Sequence, residues 1–377
     1  MTSRIQILSP HIRNYEWGSL KIIPEFFGWD ASDRPVAEVW LGAHPQGSSL
    51  IDGSIPLSIA IEADPVGYLG KSVNERFQGR LPFLMKFLAA DRPLSIQVHP
   101  NLSQAQAGFA RDVSLAIPLN ERNYQDPYDK PEQICALTQM WALAGFRFDA
   151  ESRALCEKAG LSEIVKKFEG ASSGEIFLRI LKGEIKLDIG SLLTRMPDNI
   201  DEFRWVRQLI ELFPEDQAVL APLFMNLIFL EQGQTLSVSA GMAHSYLSGF
   251  GVEVMGASDN VIRSGLTQKK IDVTELELII SLQPETPKIQ SSIGDGPIQW
   301  ESEVSYFQLH KYVGSNSRIS GPAIVACFEG SVSLIAENTQ VALARGEFAY
   351  LMGDVDASIQ GTGSAFFCTT NIGAQSD

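Results

Sequence analysis

The tract "PLSIQVHP" (residues 93–100) leaves the chain little conformational choice. Apolar Ile96 and Val98 alternate with Gln97 and His99, which is the two-residue period of a strand, so Gln97 and His99 share one face and Ile96 and Val98 the other. Pro100 has no amide hydrogen to give a ladder and ends the strand. Around it, residues 1–148 alternate short apolar stretches with Gly, Pro, Asn and Asp, a texture that predicts strands with small helical inserts.

That texture changes over 149–222. Segments such as "ALCEKAGLSEIVKKFEG" and "FRWVRQLIELFP" space their apolar residues by three and four, as amphipathic helices do. Asp149 is a helix start and Gly170 a stop. The segment has no histidine, and its carboxylates scatter as on a solvated face. β-type sequence returns after Pro222, and from 290 onward short strands divided by Gly predict a meander. A chain of 377 residues exceeds one ordinary compact core. The expectation is a mainly β protein in three parts: a catalytic part from 1–148 and 223–289, a helical insertion at 149–222, and a C-terminal β part at 290–377.

The net charge of −15 argues against nucleic-acid binding, which rests on cations neutralising phosphates. An anionic substrate would need a local basic cluster to overcome the same field. Met1 to Pro10 lacks a basic segment followed by an apolar run, and no stretch approaches the roughly 18 apolar residues of a membrane span. A cytoplasmic protein with no membrane partner is expected. Cys135, Cys156, Cys327 and Cys368 lie far apart without a C-x-x-C pair and read as reduced, buried thiols.

Five histidines are present: His11, His44, His99, His244 and His310. Gln97 and His99 form a Gln-x-His pair on one strand face. In "GQTLSVSAGMAH", Gly233, Gly241 and His244 are spaced as in the second metal motif of cupin barrels, with Ser239 where Pro is usual. His11 and His310 have no motif around them and read as surface residues. Trp40 and His44 read as wall and packing.

Five ordered blocks then carry a wider resemblance: "YEWG" (Tyr15–Gly18), "AEVWLGAHPQGSS" (Ala37–Ser49), "LPFLMKFLAADRPLSIQVHPN" (Leu81–Asn101), "DKPEQICALTQMWALAGFR" (Asp129–Arg147) and "HSYLSGFGVEVMGASDNVIRSGLT" (His244–Thr267). In this order they resemble the motifs of type I mannose-6-phosphate isomerase, strongly through about residue 275 and weakly in the helical segment and C-terminal third. The resemblance implies two cupin-type β-barrel (jelly-roll) domains plus a helical domain, the C-terminal barrel lacking metal ligands. It further implies one Zn2+ per chain, held by Gln97, His99, Glu132 and His244. Two imidazoles and a carboxylate are ordinary zinc ligands that leave a position open, and a Gln oxygen is a weaker one.

The implied reaction interconverts mannose 6-phosphate and fructose 6-phosphate through a cis-enediol, a step in carbohydrate metabolism toward GDP-mannose. The implied partner is a small sugar phosphate, and a monomer or weak homo-oligomer is expected. Arg263 is expected to stabilise the enediolate, its structural alternative being an ion pair with Asp259 four residues earlier. Lys86, Lys130 and Lys269 match pocket positions and would complete the basic cluster. Asp259 and Glu253 are candidate bases, Lys130 a candidate acid, and Trp17 part of the substrate wall. Asp129 stands where the family often has His, so it would serve in ring opening or leave that role to another group. Two other readings are a metal-retaining, non-catalytic sugar-phosphate-binding bicupin and a cupin oxygenase. Gln among the ligands argues against an iron oxygenase.

Overall fold

The computed structural model describes residues 3–269, 271–291 and 296–372. Its strands, among these residues, include an eleven-stranded and an eight-stranded sheet. One long strand, His244–Gly256, organises the larger sheet. Its C-terminal half pairs antiparallel with Phe83–Ala90 and Glu132–Ala136, and its N-terminal half with Met140–Phe146 and with Ile96–Val98.

Alternation along these strands sorts side chains between two environments. Met85, Phe87, Val252, Val254 and Cys135 enter one large core with Val325, Phe348 and Phe366 of the C-terminal strands. On the opposite face Trp40, Lys86, Glu253, Ile134 and Leu236 line up across successive strands. The C-terminal meander thus covers the back of the sheet that carries the polar face. The first strand crosses the expected division at 290, since Ile5–Ser9 pairs with Phe348–Leu351.

The 149–222 segment is helical, as its periodicity predicts, but interrupted. Asp149–Lys158 and Ser162–Lys167 are separate helices broken at Gly160, whose φ of 75° is left-handed. A capping box of Ser172 and Glu175 then opens Ser173–Leu181, and Asp201–Leu212 presents Phe203, Val206 and Leu209 to the core. This core also takes Ile96, Val98, Leu247 and Ile262. The helices therefore back the strands that carry Gln97 and Arg263. At Gly265 (φ 137°) a Cβ would lie 2.1 Å from that of Ala218, so only glycine lets the strand Ile262–Gly265 approach so closely. Leu266 N–H donates to Asp216 at 2.7 Å and fastens the strand's end.

Beyond Pro100 an Asn101–Gln104 capping box opens the helix Leu102–Ser114. All four cysteines are free and buried. No helix among the described residues is long and apolar enough to cross a membrane. Both expected surface histidines are instead half-buried, His11 with its ring 6.1 Å from Trp40 and His310 with its ring stacked on Phe367 at 4.5 Å. For each, the aromatic neighbour on the adjacent strand, opposite in register, explains the difference.

Candidate metal centre

The strands that begin at Glu132 and His244, and the residue just past the strand Ile96–Val98, bring His99, Glu132 and His244 together, with their ligand atoms within 4.8 Å of one another and all three side chains buried. Glu132 Oε1 lies 3.2 Å from His99 Nε2, and its Oε2 lies 3.3 Å from His244 Nε2. Each imidazole is fixed from behind. His99 Nδ1 is 2.8 Å from the carbonyl of Asn260, and His244 Nδ1 is 3.0 Å from that of Met242. A carbonyl can only accept, so Nδ1 carries the proton and Nε2 turns a lone pair toward the carboxylate.

Lone pairs of nitrogen and carboxylate oxygen facing each other in a buried site call for a cation between them. Among the described residues His99 Nε2 has no hydrogen-bond partner. Protonation does not supply the cation readily: burial, reinforced by Lys130, pushes His99 down to about 4. Burial alone would raise Glu132, but the Lys130 ammonium beside it holds its carboxyl well below the usual range. Neutral nitrogen donors with tautomers set by backbone carbonyls, together with one ionised carboxylate, fit a divalent metal of the zinc type.

Gln97 stands directly opposite His244 on one side and Arg263 on the other, so the three side chains share a face. Its Nε2 donates to Ser95 Oγ at 3.1 Å, and among the described residues no hydrogen bond reaches its amide oxygen. Gly233 and Gly241 of the expected turn both have left-handed φ, 88° and 81°. Gly241 N–H donates to the carbonyl of His99 at 2.8 Å and ties the two histidine-bearing segments together.

Around this centre lies a buried ionic network. Lys130 Nζ is 3.0 Å from Glu132 Oε1. Lys86 Nζ is 2.5 Å from Glu253 Oε2 and 3.5 Å from Glu38 Oε1. The other oxygen of Glu253 accepts from Tyr246 Oη at 2.6 Å, and Trp40 Nε1 donates to Glu38. Burial, and Glu132 beside it, raise the Glu253 carboxyl despite the Lys86 ammonium. Lys86 is raised in turn: burial opposes its charge, but the surrounding carboxylates prevail.

Arg263 differs. Among the described residues it makes no ion pair, with Asp259 or any other, and desolvation lowers its pKa. Lys269, exposed nearby, is lowered by desolvation and by Arg263 itself. Asp259 has a quarter of its side chain exposed and lies 3.4 Å from His44 Nε2. Burial raises its carboxyl, opposed by Lys130, Arg13 and Lys86. Trp17 is half-buried and stacks on Tyr15 at 5.6 Å. Asp129 accepts from Tyr306.

Several residues here were not singled out from sequence. Tyr246 follows His244 by two, so alternation could have found it. Its partner Glu253 is seven residues on, an odd separation that would put it on the opposite face of a regular strand. A bulge intervenes: Trp141 and Ala142 pair with Ser248 and Tyr246, leaving Leu247 extra. Asp126, Ser258 and Asn260 form a loop clasp. Asp126 accepts from Ser258 Oγ at 2.8 Å and from Asp259 N–H at 2.8 Å, while the Asn260 amide donates to the carbonyls of Asp126 and Tyr128. Loop contacts over such separations leave no periodic signal.

Fold and site together define a mainly β protein with helices, built around a buried His–Glu–His group able to hold one metal ion beside a set of cationic side chains. The chain belongs to the mannose-6-phosphate isomerase family. Residues 5–149 match the family model described as phosphomannose isomerase type I, catalytic domain. The mannose-6-phosphate isomerase of Escherichia coli (strain K12) is 35% identical over 373 residues, spanning 92% of this chain and 94% of that protein. The Salmonella typhimurium protein of the same name is 34% identical over 388 residues, spanning 95% and 98%. A crystal structure of mannose 6-phosphate isomerase bound with zinc and yttrium matches with a TM-score of 0.88 at 31% identity, covering 98% of this chain and 100% of that one.

Proposed function

We propose that this protein is a zinc-dependent aldose–ketose isomerase interconverting mannose 6-phosphate and fructose 6-phosphate through a cis-enediol. The observation that carries the reading is the buried His99–Glu132–His244 group with its inward lone pairs, set among Lys86, Lys130 and an Arg263 that makes no ion pair among the described residues, in a chain of this family. His99, Glu132 and His244 would hold the zinc, with Gln97 contributing its amide oxygen. Bound there, zinc supplies Lewis-acid polarisation of substrate oxygen. The arrangement of sheets supports two cupin-type barrels, with a helical region inserted in the first and metal ligands only in that first barrel.

The chemistry requires a base at C1 and C2 and positive charge where oxygen becomes anionic. Glu253 is 1% exposed and held at both oxygens by Lys86 and Tyr246, which suits it to fixing Lys86. Asp259 is better placed to move a proton because part of its carboxylate is open. In this reading Asp259 removes the C2 proton of the open-chain aldose and returns it to C1. Lys130 protonates the C1 oxygen and takes back the proton of the C2 hydroxyl. Arg263 meets the enediolate without first breaking an ion pair, and Lys269 beside it adds charge for the phosphate. Trp17 forms part of the wall. A location in the cytoplasm and a monomeric or weakly associated state complete the proposal.

An assay that consumes fructose 6-phosphate as it forms from mannose 6-phosphate, run on zinc-loaded and chelated protein, tests this reading. Turnover that needs zinc is expected. Full activity after complete zinc removal would refute the metal's role, and absence of turnover in fully loaded protein would refute the isomerase.

A further inference from the structure

We propose that His44 and Gln46, on the short hairpin of Ala43–His44 and Gly47–Ser48, are positioning residues that hold the Asp259 carboxylate for proton transfer. The proposal rests on the assignment of Asp259 as base given above. His44 is 2% exposed, and its tautomer follows from its neighbours. Nδ1 accepts the backbone N–H of Gln46 at 3.2 Å, so the proton sits on Nε2. Nε2 is 3.4 Å from Asp259 Oδ1. Trp40 fixes the ring plane, packing edge-to-face at 5.0 Å and 78°.

Burial and the nearby Lys130 push His44 down to about 4, so at neutral pH it is an uncharged donor. The side chain of Gln46 also acts on the Asp259 carboxyl, lowering its pKa, and the Gln46 backbone carbonyl is held by Arg13 at 2.6 Å. From the opposite side, the Asp259 N–H donates to Asp126. The backbone of the base is thus anchored by one loop and its carboxylate by the hairpin. Packing alone does not account for a histidine here. An aromatic hydrocarbon would cover Trp40 without the cost of burying an imidazole, whose N–H would need a partner. Asp259 Oδ1, 3.4 Å from Nε2, is the carboxylate oxygen beside that N–H.

The test compares His44→Leu, His44→Gln and Gln46→Leu in zinc-loaded protein. Losing the donor should lower kcat about tenfold or more, since small misplacements of a reacting group are costly. KM for mannose 6-phosphate and zinc content should stay within about twofold, because neither depends on the aim of the base. His44→Gln, whose amide N–H reaches a similar distance, should recover most of kcat. Gln46 is exposed, and its replacement should lower kcat by a smaller factor. A Gln variant as poor as Leu, or a rise in KM with kcat intact, would overturn the proposal. If His44→Leu does not fold, the other two decide: activity retained in His44→Gln and lowered in Gln46→Leu supports positioning, and activity unchanged in both overturns it. Near-normal kcat in Asp259→Asn would overturn the base assignment instead, and an inactive parent the isomerase reading itself.

Discussion

Tyr306 donates its hydroxyl to Asp129 Oδ1 at 2.5 Å, and so joins the segment ahead of the C-terminal strands to the residue next to Lys130. The contact reaches across 177 residues of sequence. Burial raises the Asp129 carboxyl while the Tyr306 hydrogen bond and Arg80 pull it down, so the tyrosine offsets part of the cost of placing a carboxylate there. Tyr306→Phe should therefore destabilise the fold by about 1 kcal/mol, the low end of the cost of leaving an acceptor unsatisfied, because Asp129 is only half-buried. The midpoint of urea unfolding reads this directly. Turnover should stay within a few-fold, because Asp129 then remains in place; collapse of kcat at unchanged stability would instead put Asp129 in the chemistry.

Arg263→Ala should abolish turnover while leaving zinc bound. Because the guanidinium is desolvated and makes no ion pair among the described residues, removing it breaks no structural contact of that kind, and the melting temperature should hold or rise. Such a split between activity and stability is the mark of a group retained for function. Metal analysis and a thermal melt on one preparation suffice. Loss of zinc or a marked fall in melting temperature would make Arg263 structural.

How much of this was legible beforehand depends on the range of the interaction. Strand alternation places Gln97 and His99 on one face, and the structure has Ile96 and Val98 buried behind them. The glycine turn before His244 likewise forms as its spacing predicts. The 149–222 helices follow their periodicity, except that Gly160 divides what reads as one helix into two. Other features were out of reach. The bulge at Leu247 depends on the partner strand, and the tie between Asp129 and Tyr306 on how the C-terminal segment returns. The orientation of His44 toward Asp259 comes from a loop more than 200 residues away, which no local pattern records.

Glu132 bridges the two imidazoles, so its charge should set metal affinity. In Glu132→Gln the side chain keeps its shape, but the site loses its one carboxylate and Lys130 loses its partner at 3.0 Å. Zinc affinity should fall by at least about tenfold to a hundredfold, the range seen even for residues one step removed from a metal. Dialysis against graded zinc buffers followed by metal analysis gives the number. Undiminished zinc retention would exclude Glu132 as a ligand.

The pH dependence of stability can be tested away from the metal, at His310. Burial pushes its imidazole from 6.5 down to about 4. Above about pH 6.5 the ring is neutral in both folded and unfolded chains and contributes no difference. Between 6.5 and about 4 the unfolded chain takes up a proton that the native state refuses, so stability falls as pH falls. For this one group the loss from pH 7 to pH 5 is about 2 kcal/mol. His310→Phe keeps an aromatic ring against Phe367 and removes the titration. Urea unfolding at the two pH values should show a smaller acid loss in the variant than in the parent by about that amount. Parallel losses in the two proteins would mean that His310 takes up its proton in the native state, and that the stacked ring is open enough to water to do so.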